Sequence, residues 1–137
     1  MINGIVREID TLGRLVIPME TRKMLGLVAH PYADMWLDGK IVHIKMASVF
    51  SAKGYSKGIV RKLDSLGRIC IPKEYRKVLH IENGAAVDMW MDGSEICVQR
   101  AEYGCGWCGG INELMEVKGH HICRECAYAV VDAVMEE

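Results

Sequence analysis

Apolar residues in this chain come in short runs, each stopped by a glycine or proline signal. From Gly58, the run Ile59-Val60 leads through Arg61-Lys62-Leu63 to a turn at Asp64-Ser65-Leu66-Gly67. A second run, Ile69-Cys70-Ile71, ends at Pro72. This pattern predicts a hairpin whose second strand feeds a helix, with proline in the first turn where its missing N–H costs nothing. The helix is brief, from Pro72 to Leu79. Beyond it Val87, Met89 and Met91 alternate onto one face, Asp92-Gly93 marks a tight turn, and Ile96-Cys97-Val98 returns as a second hairpin. Trp90 is out of phase with its apolar neighbours, as is Trp36 with Met35 and Leu37, so both are expected on the outer face, covering a neighbouring element. Cys70 and Cys97 sit within strand runs and read as small buried hydrophobes.

The whole pattern occurs twice. Residues 4–18 repeat as 58–72 at an offset of 54 with no gap, and 19 of the 42 pairs between 4–45 and 58–99 are identical, so the repeat is an internal duplication. The copies differ at the end of the helix, where Gly26 can terminate it in a left-handed conformation and His80 caps less well. They differ again in the following loop, Val28-Ala29-His30-Pro31-Tyr32 against Glu82-Asn83-Gly84-Ala85-Ala86. A unit of roughly 45 residues buries too little surface to fold alone, so the copies are expected to pair with each other. The joining stretch, 47–57, would reach about 36 Å if extended, enough to cross a small barrel.

The motif from Gly58 to Leu79 (Gly-Ile-Val-Arg-Lys-x-Asp-x-Leu-Gly-Arg-x-x-Ile-Pro-x-Glu-x-Arg-Lys-x-Leu) resembles the AbrB family of bacterial transition-state regulators. That wider superfamily includes the MazE antitoxins and the sporulation regulator SpoVT. The resemblance covers most of 2–46 and 56–100. It implies two units interlocked into one swapped-hairpin barrel that binds double-stranded DNA through arginines on one face. Carried over position by position, it marks Arg7, Arg14, Arg22 and Lys23 of the first copy and Arg61, Arg68, Arg76 and Lys77 of the second as DNA contacts. Arginine suits that role, since its rigid fork of donors fits phosphate and the O6/N7 edge of guanine. Taken singly, each of these is equally a solvated surface charge, paired with Glu8, Asp10, Glu20 or Glu74.

Charge changes the picture only by its distribution. Residues 1–50 carry 6 Lys/Arg against 5 Asp/Glu, residues 51–100 carry 9 against 6, and residues 101–137 carry 2 against 7. The repeated part can face phosphate, and the acidic tail is expected to avoid it.

The tail has its own signal. Cys105-Gly106-Trp107-Cys108 and Cys123-Arg124-Glu125-Cys126 are two CxxC pairs separated by 14 residues, which points to one structural zinc held by Cys105, Cys108, Cys123 and Cys126. Residues 114–122 read as a small hairpin. From Arg124 the chain reads as a helix with Ala127, Val130, Val131 and Val134 along one side. This order resembles treble-clef and zinc-ribbon modules such as that of the ClpX chaperone subunit. His120 and His121 are expected to be exposed beside a complete ligand set. Four cysteine ligands leave no open position for water, and no nucleophile–base motif or phosphate-binding glycine loop is present, so no enzyme activity and no small-molecule substrate are expected.

The expected architecture is mixed α/β and mainly β. Two tandem AbrB-like units (1–46 and 57–100, linked by 47–56) form a pseudo-dimeric barrel, followed by a four-cysteine zinc module ending in a helix (101–137). The expected function is a bacterial, cytoplasmic, nucleoid-associated DNA-binding transcriptional regulator whose zinc module serves oligomerisation, as a homodimer, or partner binding. The alternative is an antitoxin-like protein that neutralises a toxin and autoregulates its operon. No run reaches transmembrane length and the start lacks a secretory signal, so no membrane partner is expected.

Overall fold

The computed structural model describes residues 4–49, 51–56, 58–81, 85–101 and 104–136. The differing loop at 82–84 lies outside them. The fold is mainly β, with three short helices. In chain order the first copy supplies β1 (Ile5–Glu8), β2 (Arg14–Val16), α1 (Met19–Met24), β3 (Tyr32–Asp38) and β4 (Ile41–Met46). The second supplies β5 (Ile59–Lys62), β6 (Arg68–Cys70), α2 (Lys73–Leu79), β7 (Ala86–Asp92) and β8 (Glu95–Arg100). The tail adds β9 (Leu114–Val117), β10 (His120–Cys123) and α3 (Arg124–Met135).

The second hairpin of each copy forms as its alternation predicts: β3 pairs with β4 and β7 with β8. The first does not close on itself. Its two strands meet only at the turn and then part, each to the other copy. Strand β1 pairs with β7, β5 pairs with β3, and β2 pairs with β6. The six-stranded sheet therefore runs β1-β7-β8-β4-β3-β5, with a separate ribbon of β2 and β6. Period-2 patterning marks a strand but not its partner, which is why the residues suggested a local hairpin.

One core serves both copies. Leu15, Ile17, Met35, Val42 and Ile44 of the first copy are fully buried together with Ile69, Ile71, Val87 and Ile96 of the second. On the other face of the sheet, Trp36, His43, Cys97 and Trp90 stand in one row across β3, β4, β8 and β7. Both tryptophans are half-buried. Trp36 stacks on the His43 ring at 5.2 Å, and Lys45 lies over its indole. His43 Nδ1 meets Glu95 Oε1 at 2.7 Å, and Cys97 is buried against the same imidazole. Burial, with the carboxylates of Glu95 and Asp92, pushes the Cys97 thiol up to about 11. Cys97 is thus the buried residue expected. Cys70 is not: it is exposed, because Ile69 and Ile71 point inward and alternation turns Cys70 outward.

Helices α1 and α2 end alike. Gly26 and His80 both take the left-handed conformation (φ 75° and 54°), and Leu27 N–H and Ile81 N–H close back on the Arg22 and Arg76 carbonyls. The described residues of the linker, 47–49 and 51–56, include a fold-back rather than a continuous stretch. Residues 51–55 make one wide turn, and the buried Asp34 carboxylate accepts hydrogen bonds from Ser51 Oγ at 2.8 Å and from Ser56 Oγ. No helix among the described residues is long and apolar enough to cross a membrane.

Gly13 and Gly67 have φ of 76° and 79°, and a Cβ on either would collide with the guanidinium of Arg76 or Arg22, which belongs to the other copy's helix. Gly39 and Gly93 have similar φ but nothing within 4 Å of an added Cβ. Gly39→Ala should therefore cost only the left-handed backbone penalty, about 1 kcal/mol, and Gly67→Ala about 2 kcal/mol or more. Urea unfolding of the two variants measures the difference.

Candidate nucleic-acid interface and candidate metal centre

The β2–β6 ribbon is short and symmetric about Leu15 and Ile69, which are paired, equivalent in the repeat, and completely buried. Alternation then turns Arg14, Val16, Arg68 and Cys70 outward. The ribbon continues at each end through the other copy's turn, Ile17 N–H to Gly67 O and Ile71 N–H to Gly13 O, both at 2.9 Å.

Each turn is built around an aspartate. Asp10 Oδ1 accepts from Leu12 N–H and Arg14 N–H, while Oδ2 accepts from Arg14 Nε at 2.7 Å. Asp64 does the same for Leu66 N–H, Arg68 N–H and Arg68 Nε. Leu12 and Leu66 are left exposed at the two tips. Arg22 and Arg76 then cross between copies. Arg22 donates Nε to Ile17 O and packs on Gly67, and Arg76 donates Nε to Ile71 O and packs on Gly13. Four of the eight expected basic residues, Arg14, Arg22, Arg68 and Arg76, thus gather around one ribbon. Each is held through Nε, so the terminal amino groups of each fork are the atoms that a phosphate or a guanine edge would take. Fixing the side chains beforehand lowers the ordering cost of binding.

The other four are less constrained. Lys23 and Lys77 are exposed on the last turns of α1 and α2, beside Arg22 and Arg76. Arg7 and Arg61 are exposed on β1 and β5, the two edges of the sheet, opposite Val87 and Ala33. The roles of Asp64, Gly13 and Gly67 in setting the arginines were not singled out from the residues. The signal was present as an aspartate four residues before an arginine across a glycine turn.

The four tail cysteines converge. Their sulfurs lie within 4.8 Å of one another, with Cys108 Sγ and Cys123 Sγ 3.6 Å apart. A tetrahedral zinc with bonds of about 2.3 Å would set its sulfurs about 3.8 Å apart, so the donor set fits the ion. Backbone N–H groups of Trp107, Gly110 and Cys126 point at Cys105, Cys108 and Cys123 sulfurs. Burial alone would raise the Cys105 thiol, but backbone donors of Cys108, Cys123 and Trp107 outweigh it and bring it down to about 6. Burial and the neighbouring sulfurs push Cys108 and Cys126 up. Such crowding of thiols is relieved by a dication that replaces their protons. His120 and His121 are exposed, as expected.

The tail is docked on the second copy. Ala85 bridges Gly110, Ala86 N–H donates to Gly109 O at 2.9 Å, and Arg100 donates to the Cys105 carbonyl. Helix α3 carries its expected apolar side chains but buries none of them: Tyr128, Val131, Val134 and Met135 are all exposed. An apolar cleft of about 540 Å³ opens beside it, lined by Trp107, Met115, Val117, Ile122, Ala127 and Val130 among others.

Comparison with curated proteins supports a domain of the AbrB family in this chain. It is 42% identical over 42 residues to the transition state regulatory protein AbrB of Bacillus subtilis (strain 168), a match covering 31% of this chain and 44% of that protein. It is 40% identical over 45 residues to the putative transition state regulator Abh of the same organism, covering 33% and 49%. It is 49% identical over 35 residues to that organism's stage V sporulation protein T, covering 26% and 20%. The matches thus span half or less of the length of these relatives. No family model matches the chain. No solved structure gives a significant match.

The two turn aspartates make a pH prediction. At Asp10 burial opposes ionisation but is outweighed by the Arg14 and Leu12 bonds, and at Asp64 the Arg68 backbone bond leads, so both carboxyls are held below their ordinary 3.8. A folded pKa below the unfolded one favours the fold when charged. That stabilisation is complete above the ordinary value and is lost as pH falls through the depressed one. Replacing both with asparagine should flatten the acid limb of a stability–pH curve below about pH 4, read by urea unfolding.

Proposed function

We propose that this chain is a sequence-selective DNA-binding transcriptional regulator of the transition-state type. The observation that carries the reading is the gathering of Arg14, Arg22, Arg68 and Arg76, two from each copy, around a single pseudo-twofold ribbon. The regulator names of two relatives support it. In this reading residues 1–46 and 57–100 are tandem AbrB-like units. The exchange of strands between them is the pseudo-dimeric swapped-hairpin barrel, so that one chain presents a complete DNA face. Arg7, Lys23, Arg61 and Lys77 extend the contact along the backbone. The protein acts without catalysis, in the cytoplasm, on the nucleoid.

Residues 101–137 are a zinc module in which Cys105, Cys108, Cys123 and Cys126 would hold one structural Zn2+. The ion would supply folding energy on the order of 10 kcal/mol and no chemistry, its four ligands leaving no open position. The uncovered apolar side of α3 supports a role in self-association, giving a homodimer of two barrels.

Selection from random duplex DNA tests the main claim, and recovery of no preferred sequence would refute it. Up to eight phosphate contacts predict a log–log salt slope of about −7 at most. Replacing Arg14 and Arg68 together with alanine should abolish binding while leaving the circular dichroism spectrum unchanged. Metal analysis of protein purified under reducing conditions should find one zinc per chain. Cys123→Ser should lose it and unfold the tail while the barrel remains folded.

A further inference from the structure

An open cleft of about 650 Å³ lies between α2 and the first cysteine turn, lined by Lys73, Arg76, Lys77, His80, Trp107 and Glu125 with Ile81 at its base. Its walls come from two parts of the chain that the docking contacts hold together, through Ala85, Ala86 and Arg100 on the barrel side and Cys105, Gly109 and Gly110 on the tail side. Trp107 projects from the turn and is 59% exposed.

The repeat supplies an internal control. The residues of the first copy equivalent to Lys73, Arg76, Lys77, His80 and Ile81 are Met19, Arg22, Lys23, Gly26 and Leu27. The arginine–lysine pair is common to both copies. Lys73 and His80 are not: the first copy has an exposed methionine and a glycine there. The additional basic groups therefore stand only on the helix beside which the tail is docked, and only on the side facing it. His80 stands there in a left-handed position that glycine fills in the first copy.

We propose that this cleft binds the sugar-phosphate backbone of duplex DNA flanking the sequence read at the ribbon, an inference that rests on the DNA-binding reading above. Lys73 and His80 add donors to those of Arg76 and Lys77, and Trp107 contributes an apolar plane for deoxyribose and an indole N–H for phosphate. The second copy then holds more DNA than the first, and the chain binds its site in one orientation. Glu125 has the opposite sign. It faces Lys73, Arg76 and Lys77 and weakens the site, which gives the test a direction no purely structural role would produce.

The test uses full-length chain and two probes: a duplex recovered by selection, and the same duplex shortened by about one helical turn at each end. Lys73→Met/His80→Gly, which installs the first copy's residues, should weaken binding to the long duplex roughly tenfold and reduce the salt slope by about 1. Trp107→Ala should weaken it as well, and Glu125→Gln should tighten it. All three differences should vanish on the short duplex. Zinc content reports whether the Trp107 variant folds. Should that variant lose zinc, the Lys73/His80 pair, which lies outside the module, decides alone. Unchanged affinity of that pair on both duplexes overturns the cleft while leaving the ribbon reading intact. Failure of the unmodified chain to bind any duplex overturns both. If inorganic phosphate quenches Trp107 fluorescence while the Lys73/His80 variant binds both duplexes normally, the cleft holds a free anion and the duplex assignment is wrong.

Discussion

Neither copy can pair all of its own strands, and the rest of the molecule follows from that. Among the described residues, strand β1 has its only ladder on β7, β5 has its only ladder on β3, and the two ribbon strands have only each other. A single copy would expose these edges and the apolar residues beneath them, a state that water disfavours and other chains would exploit. Exchange solves both problems at once, because the core that forms is contributed by both copies. It also explains the arginine geometry. Arg22 can lie on Gly67, and Arg76 on Gly13, only because each helix is brought against the other copy's turn.

The seam is heterologous by chemistry as well as by sequence. His43 and Cys97 are equivalent in the repeat and face each other where β4 meets β8. The bond from His43 to Glu95 has no mirror, since the position equivalent to Glu95 is Ile41. Pairing two first copies would set histidine against histidine without the carboxylate. Pairing two second copies would set cysteine against cysteine. A single part-buried hydrogen bond contributes about 1 kcal/mol, so it does not decide alone. The tether contributes more. A short linker gives a millimolar-scale effective concentration, which against micromolar free chains is about a thousandfold, or about 4 kcal/mol. Clamping of the linker by Asp34 through Ser51 and Ser56 fixes its path and favours the intrachain arrangement in the same sense.

Much of this was legible in the residues. The 54-residue repeat set the element order, alternation placed Val87 and Met89 inside, and the two CxxC turns converge as their spacing demands. Losses occurred where a pattern states conformation but not partnership. The run before Asp64 and the run after Gly67 read as one hairpin, yet no local feature says that their ladders lie in the other copy. Cys70 read as buried by its type, while its phase between Ile69 and Ile71 was the better guide. Reach only bounds the linker, because the acceptor that its serines meet, Asp34, is an otherwise ordinary position in β3. The apolar stripe of α3 was legible as a stripe, but its spacing does not say what covers it, and the structure buries none of it.

The acidity of the tail is a matter of placement rather than of sum. Seven carboxylates against two cations suggest a module repelled by phosphate. Yet among the described residues only Glu125 of the tail's carboxylates faces the cleft beside α2. Asp132 lies seven residues further along the same helix and Glu136 just past its end, which at about 1.5 Å per residue puts them about 10 and 16 Å from Glu125. Those distances reach or exceed the screening length of about 8 Å at physiological ionic strength, so these charges are largely screened from an anion at the cleft. Lys73, Arg76 and Lys77 act at contact range. A chain with net charge −1 can therefore present a locally cationic surface, with the docked tail narrowing it into a cleft rather than cancelling it.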